Sequence, residues 1–142
     1  MYETILLPTD GSDHTKRATE HAIDIAKTRD AELHVFSVVD DRAFLVLDDD
    51  RVDEVRSELE ESALDAITEA VEAADAEGIE TTSDVDVGNP ANCIVEYAGE
   101  NDIDLVVMGT SGDEYEENVV GSVSKRVVDT SPVPVLTVGP DA

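Results

Sequence analysis

Short apolar runs alternate along the chain with longer segments whose apolar residues recur every three or four positions. The short runs predict five buried strands, at residues 4–8, 33–39, 79–87, 103–108 and 133–138. The longer segments predict four amphipathic helices, at residues 13–29, 51–76, 91–98 and 121–130. This alternation predicts an α/β fold in which a parallel sheet carries helices on both faces.

Two turns, each directly after a predicted strand, contain the residues most typical of a binding site. Pro8-Thr9-Asp10-Gly11-Ser12 follows the first strand, and Met108-Gly109-Thr110-Ser111-Gly112 follows the fourth. Open parallel sheets bind ligands beyond the carboxyl ends of their strands, where the direction of winding reverses. If the first and fourth strands are neighbours, the two turns face each other across one crevice. The sequence alone leaves that strand order open.

The second of these turns has the composition of a phosphate-binding loop. Gly109 and Gly112 let main-chain N–H groups approach an anion without a Cβ in the way, and Gly121 with Ser122 opens the next helix. A helix start adds unpaired N–H donors and a partial positive charge. The plainer alternative is that the glycines only permit a tight turn.

Other conspicuous residues also have plainer explanations. Asp10 or Ser12 is suited to cap the first helix, and Gly88-Asn89-Pro90 to form a turn with proline at the first helical position. We expect Cys93 to pack in the core as a small apolar residue. Residues 44–47 form an apolar segment within a charged connection. This segment is suited to serve as a lid, as a partner-binding patch or as a cap on the sheet edge.

The composition describes a globular protein of one domain. The 142 residues suit a single domain, residues 1–142, and 41% of them are apolar. No apolar run approaches the ~18 residues that cross a bilayer, and no leader precedes the first strand, so we expect a soluble, cytoplasmic protein. The lone Cys93 excludes an intramolecular disulfide, and His14 and His21 lack a third ligand in the sequence, so we expect no metal site.

The charge balance is extreme, since 35 acidic residues against 9 basic ones give a net charge of −26. Such a surface repels nucleic acid and anionic lipid, so we expect neither a nucleic acid nor a membrane as a partner. The acids are spread along the whole chain. That distribution is typical of the cytosolic proteins of halophiles, where molar salt screens self-repulsion to a Debye length of ~3 Å.

Five motifs occur in a fixed order along nearly the whole chain. They are Leu7-Pro8-Thr9-Asp10-Gly11-Ser12, Leu33-His34-Val35, Gly88-Asn89-Pro90, Met108-Gly109-Thr110-Ser111-Gly112 with Gly121-Ser122, and Ser131-Pro132-Val133-Pro134-Val135-Leu136-Thr137-Val138. Each motif is unspecific alone, but the set resembles the universal stress protein family. The resemblance implies a Rossmann-like fold of the adenine nucleotide alpha-hydrolase type. Its open parallel sheet has five strands in the order 3-2-1-4-5, which makes the first and fourth strands neighbours.

The resemblance also implies a site for ATP or AMP. In that site Asp10 accepts hydrogen bonds from the ribose or adenine beside Pro8 and Thr9, and Val35 lines the adenine pocket. Met108 and Gly109 face the ribose. The phosphate side comprises Ser111, Gly112, Gly121, Ser122 and Val123.

The segment between Gly112 and Gly121 departs from the family pattern. Its eight residues are one fewer than the usual ATP-binding pattern has, and residues 113–118 contain four acids and no base. Carboxylates repel a polyphosphate unless a divalent cation such as Mg²⁺ bridges them. We therefore expect AMP to bind more tightly than metal-free ATP.

Four functional classes compete for this sequence. The first is a nucleotide-binding regulatory module of the stress response, and the second is a dimeric stress protein of the same fold that has lost the nucleotide. An adenylyl-transferase-type enzyme would need a His-x-Gly-His-like pair where residues 9–12 stand. A receiver-type phosphoacceptor would need acids after the first and third strands and a late lysine. Since no activated nucleophile or acid–base pair is evident, we expect no enzyme.

The fifth strand predicts the assembly. It runs from Val133 to Val138, is mostly apolar, and lies at the sheet edge in the implied strand order. An exposed apolar edge favours pairing with another chain, and Pro134 limits open-ended extension because it lacks an N–H. We therefore expect a homodimer that closes through this edge.

Overall fold

The computed structural model describes residues 2–45, 47–110 and 122–139. Its strands and helices alternate along the chain as the sequence predicts. In chain order they are β1 (Thr4–Pro8), α1 (Asp13–Arg29), β2 (Glu32–Asp40), a 3₁₀ turn (Asp41–Phe44), α2 (Asp49–Ala76), β3 (Thr81–Gly88), α3 (Pro90–Glu100), β4 (Leu105–Gly109), α4 (Ser122–Thr130) and β5 (Val135–Val138).

The strands form one parallel sheet in the order β3-β2-β1-β4-β5. Both the α/β class and the order 3-2-1-4-5 are thereby confirmed. β1 and β4 are neighbours, with Ile5 opposite Leu105 and Leu6 opposite Val106. The turns that follow these two strands therefore leave the same edge of the sheet side by side.

Two apolar layers enclose the sheet, because alternate strand residues point to opposite faces. On one face, Ile5 and Leu7 belong to a buried cluster that includes residues of α1 and α2. On the other face, Leu6 and Val106 belong to a cluster that includes residues of α3 and α4. Burial on both faces explains why the central strands are nearly continuous apolar runs.

The turn after β1 lies tightly against the middle of α2. Gly11 has a φ of +77°, and a Cβ on it would lie 3.0 Å from the Cβ of Ala66. L-residues seldom adopt this φ, and a side chain at this position would press on the helix. The turn therefore requires glycine at position 11.

The strand ends differ from the prediction at several places. β5 begins at Val135, two residues later than predicted, and follows Pro134, which has no N–H to donate to a neighbouring strand. β3 also begins two residues later, at Thr81. The 3₁₀ turn is absent from the sequence prediction. It leads into the apolar segment 44–47, where Leu45 is 79% exposed and Val46 lies outside the described residues.

Within the described ranges, no helix is both long enough and apolar enough to cross a membrane.

Candidate functional site

A cleft of about 340 Å³ opens at the carboxyl ends of β1, β2 and β4. It lies at the switch point between β1 and β4, which is where open α/β sheets bind ligands. The described residues that line it come from the turns after β1 and β4, the end of β2 with the 3₁₀ turn, and the helices α3 and α4. They are Pro8, Thr9, Asp10, Thr15, Phe36, Val38, Asp40, Arg42, Pro90, Ile94, Met108, Gly109, Thr110, Ser122, Val123 and Ser124.

Asp10 is an exposed carboxylate on the β1 side of the cleft. Its Oδ1 accepts hydrogen bonds from Ser12 N at 2.8 Å and from Thr15 Oγ1 at 3.4 Å. Ser12 is the N-cap of α1 and makes no side-chain capping bond. Asp10 thus holds the turn that leads into α1, and its position in the cleft leaves it available as an acceptor.

The hydroxyl groups of two threonines, Thr9 and Thr15, stabilise this turn. Thr9 is buried, and its Oγ1 accepts from Gly11 N at 3.2 Å and lies 3.2 Å from Thr15 Oγ1. Thr9 N donates to Phe36 O at 2.9 Å, which fixes the start of the turn to β2. These bonds satisfy buried polar groups and hold the Asp10 turn in place.

The β2 wall of the cleft is apolar, and Phe36 and Val38 contribute to it. The Phe36 ring is stacked on the Tyr97 ring of α3, with centroids 4.5 Å apart. Val35, which the family resemblance placed in the adenine pocket, is not among the lining residues. It is fully buried in the cluster on the α1 and α2 side of the sheet. The physical reason is the alternation of side chains along β2, which turns even-numbered positions toward the cleft face.

The β4 side of the cleft leads to the N-terminus of α4. Met108, Gly109 and Thr110 line the cleft at the end of β4. The Ser124 hydroxyl donates to Thr110 O at 2.9 Å, which ties the first turn of α4 to this strand. Ser122 begins the helix, where backbone N–H groups lack intrahelical acceptors and the helix dipole favours an anion.

The structure therefore brings most of the predicted site residues together. The cleft includes Pro8, Thr9, Asp10, Met108, Gly109, Ser122 and Val123. Ser111, Gly112 and Gly121 lie outside the described residues, as does the acidic segment 113–118.

An ion pair that sequence reasoning missed forms the outer part of the β2 wall. Asp40 Oδ1 accepts from Arg42 N and Nε, each at 3.0 Å. Asp40 Oδ2 accepts from Nε at 3.1 Å and from Nη2 at 2.6 Å. The hydrogen bond from Arg42 lowers the pKa of the Asp40 carboxyl below its ordinary value, and the pKa of Arg42 is raised by the same contact. The sequence does carry a signal for Asp40. It lies two residues after Val38 and four after Phe36, so all three side chains face the same side of β2.

The described residues provide the cleft with neither a metal-binding cluster nor a reactive thiol. No group of three or more His, Cys, Asp or Glu within those residues is placed to hold a metal ion. Cys93 packs at the edge of the cluster under α3. Burial, and then the charge of Asp86, raise the pKa of its thiol, so the reactive thiolate is disfavoured.

Known protein sequences match this chain over nearly its whole length. The sequence profile described as the Universal stress protein family matches residues 1–139. Universal stress protein MJ0531 of Methanocaldococcus jannaschii is 40% identical over 140 residues, which cover 97% of this chain and 82% of that protein. Universal stress protein YxiE of Bacillus subtilis is 30% identical over 147 residues, covering 97% of this chain and 99% of that protein.

Solved structures show the same architecture. The protein MJ0577 superimposes with a TM-score of 0.89 at 27% identity, covering 100% of this chain and 99% of that chain. A universal stress protein in complex with cAMP has a TM-score of 0.73 at 31% identity, covering 96% and 97%. The fold thus defines an open parallel α/β domain with a cleft at its switch point. The chain belongs to the universal stress protein family, which confirms the resemblance in its motifs.

Proposed function

We propose that this universal stress protein binds an adenine nucleotide in the cleft and acts as a regulatory module of the stress response. The observation that carries the proposal is the composition of the cleft at the β1–β4 switch point. It combines an apolar wall, a carboxylate and the start of a helix. The 31% identical universal stress protein in complex with cAMP supports an adenine nucleotide as the ligand.

Each part of an adenine nucleotide has a matching region of the cleft. Phe36, Val38 and Ile94 offer apolar surface to the base. Asp10 offers acceptor oxygens to the ribose hydroxyls. Gly109 leaves room for the ribose and the phosphate to approach the backbone, and the N–H groups that begin α4 suit the phosphate. The volume of about 340 Å³ lies within the range of small-molecule sites, roughly 300–1,000 Å³.

We propose that binding, without strong catalytic activity, is the function of this site. The Asp10 and Asp40 carboxylates are each held by neighbouring donors, namely Ser12 N and the Arg42 guanidinium. Fixed acceptors of this kind orient a ligand, whereas a general base has to take up a proton, which the lowered pKa of Asp40 disfavours. Any ATP hydrolysis is therefore expected to be slow.

Substitution of Gly109 tests the proposed site. Gly109→Val should abolish binding, because a branched side chain would stand where a phosphate approaches the backbone. Isothermal titration calorimetry in molar KCl, with AMP, ATP and cAMP and with or without Mg²⁺, should give saturable heats for the wild-type protein only. Gly99→Val is the matched control, because a Cβ on Gly99 of α3 meets nothing within 4 Å.

The same titration decides between the two functions that the sequence left open. Absence of heat for every adenine nucleotide would overturn the proposal and favour a stress protein that has lost the nucleotide. Tighter binding of AMP than of metal-free ATP, with Mg²⁺ removing the difference, is the result expected from the acids at residues 113–118.

We propose further that the protein is a cytoplasmic, halophilic homodimer. The exposed apolar Leu136 on the edge strand β5 supports pairing of two copies through this strand. The net charge of −26 supports a solvent of high ionic strength.

A further inference from the structure

The Asp40–Arg42 pair gives the cleft a flat, polar surface next to its apolar wall. Arg42 approaches the Asp40 carboxylate through two guanidinium nitrogens, Nε and Nη2. A guanidinium bonded through two nitrogens to one carboxylate is held in a fixed plane. The Arg42 side chain is 67% exposed even though it lines the cleft, so part of its surface is open to a ligand.

The position of Arg42 separates it from the phosphate side. It lies in the 3₁₀ turn after β2, whose Phe36 and Val38 form the apolar wall. The helix start suited to phosphate belongs to α4, beyond β1 and β4. Its charge is also matched by Asp40, and Asp41 adds a further negative charge beside it. A neutralised guanidinium attracts a distant phosphate weakly, but its planar face still stacks well on an aromatic ring.

We infer that Arg42, held flat by Asp40, stacks on the base of the bound nucleotide and contributes to affinity for its nucleoside part. This inference rests on the proposed function, since it assigns a further contact within the same site. Asp40 acts as the positioning residue, and Arg42 makes the contact with the ligand. Among the described lining residues, Arg42 is the one cationic side chain.

The test compares a ligand with phosphate and one without it. Adenosine and AMP are titrated by calorimetry in molar KCl against the wild type, Arg42→Ala and Arg42→Lys. If Arg42 stacks on the base, Arg42→Ala should lower the affinity for adenosine and for AMP by the same factor, about fivefold. Arg42→Lys should lose nearly as much, because lysine keeps the charge but lacks the planar face.

Arg56→Ala is the matched control for the loss of a positive charge and an ion pair. Arg56 Nε donates to Glu60 Oε1 at 3.2 Å on the exposed surface of α2, and Arg56 does not line the cleft. This variant should bind both ligands like the wild type. Asp40→Asn should give a smaller loss than Arg42→Ala, because the guanidinium remains but its plane is less firmly held.

Each other outcome overturns the inference in a distinguishable way. A loss for AMP with adenosine unchanged would place Arg42 on the phosphate. Unchanged binding of both ligands to Arg42→Ala would remove Arg42 from the site and leave the proposed function intact. Wild-type protein that binds neither ligand would overturn the proposed function together with the inference. Far-UV circular dichroism of each variant establishes that the comparison is between folded proteins.

Discussion

Tyr97 shows how single side chains join the cleft wall to the layer behind it. Its hydroxyl lies 2.7 Å from Nδ1 of His34, which is buried, and its ring stacks on Phe36. His34 Nε2 in turn lies 3.5 Å from Glu32 Oε1. Burial raises the pKa of the Tyr97 hydroxyl above its ordinary value, so the hydroxyl that contacts His34 keeps its proton further into alkaline solution. The apolar contact and the hydrogen bond thus come from one residue.

Removing only the hydroxyl separates these two contributions. Tyr97→Phe should lower the free energy of unfolding by about 1–2 kcal/mol, because Nδ1 of the buried His34 loses its hydrogen-bond partner. The stack on Phe36 is retained, so nucleotide affinity should change little. Urea denaturation in molar KCl measures the first quantity, and calorimetry measures the second.

Tyr2→Phe is the control, because the half-buried Tyr2 ring lies outside the cleft, with the Arg29 guanidinium 5.9 Å from its centroid. An equal loss of stability in both tyrosine variants would show that the bond to His34 contributes nothing particular.

Sequence reasoning placed Asp10 and Gly109 in turns that do line the cleft, and it misplaced Val35, whose direction depends on the phase of its strand. The place of Asp10 and Gly109 at the cleft was predictable because the carboxyl ends of neighbouring parallel strands meet at one edge of the sheet. Val35 was assigned to the pocket, but it faces the opposite layer, and Val38 lines the cleft instead. In a strand buried on both faces, apolar residues occupy both phases, so the pattern alone does not show which face each one takes.

At the scale of elements, hydrophobic periodicity predicted all the described strands and α-helices. It did not predict the 3₁₀ turn. Its sequence, Asp41–Phe44 after Asp40, resembles a solvent-exposed connection. Its order comes from the Asp40 side chain, which accepts from Arg42 N and caps the turn. A contact between one side chain and a backbone two residues later leaves no periodic signal, so hydrophobic patterning cannot reveal it.

The edge strand β5 leads to a prediction about assembly. Leu136 is 38% exposed on this strand, whereas Val135 packs partly against the core. Leu136→Asp should therefore convert the proposed dimer to a monomer without unfolding the subunit, since a charge would be buried on pairing. Light scattering in molar KCl measures the mass in solution.

Leu64→Asp provides the comparison, because Leu64 is 55% exposed on α2, which packs against β2 and β3 and thus away from the β5 edge. This variant should keep the wild-type mass. A wild-type monomer at molar salt, or a dimer that Leu136→Asp leaves unchanged, would refute the β5 interface.

At the scale of the whole molecule, charge dominates. The acidic excess of 26 charges is distributed over a domain of 142 residues, so the folded state concentrates repulsion that the unfolded chain relieves. The described ion pairs that cross between elements, such as Lys27 with Glu77 at 3.2 Å, are exposed and offset little of it.

Salt should therefore stabilise this protein strongly. Between 0.1 and 1 M KCl, where the Debye length falls from about 10 to about 3 Å, we expect a gain of ~2 kcal/mol in the free energy of unfolding. For a chain of this size that gain corresponds to roughly 4–8 °C in Tm. Differential scanning calorimetry measures the shift, and sucrose at matched osmolality controls for effects other than screening. A Tm that is flat or falling with KCl would show that self-repulsion is not what limits stability.

The close approach of Gly11 to Ala66 connects the position of Asp10 to the side chains of α2. Since a Cβ on Gly11 would already lie 3.0 Å from the Cβ of Ala66, the turn that presents Asp10 rests directly on a helix that lines no part of the cleft. A larger side chain at position 66 that points toward Gly11 presses on that turn and on the Asp10 carboxylate with it. A substitution on α2 can therefore move the Asp10 carboxylate without changing any residue that lines the cleft.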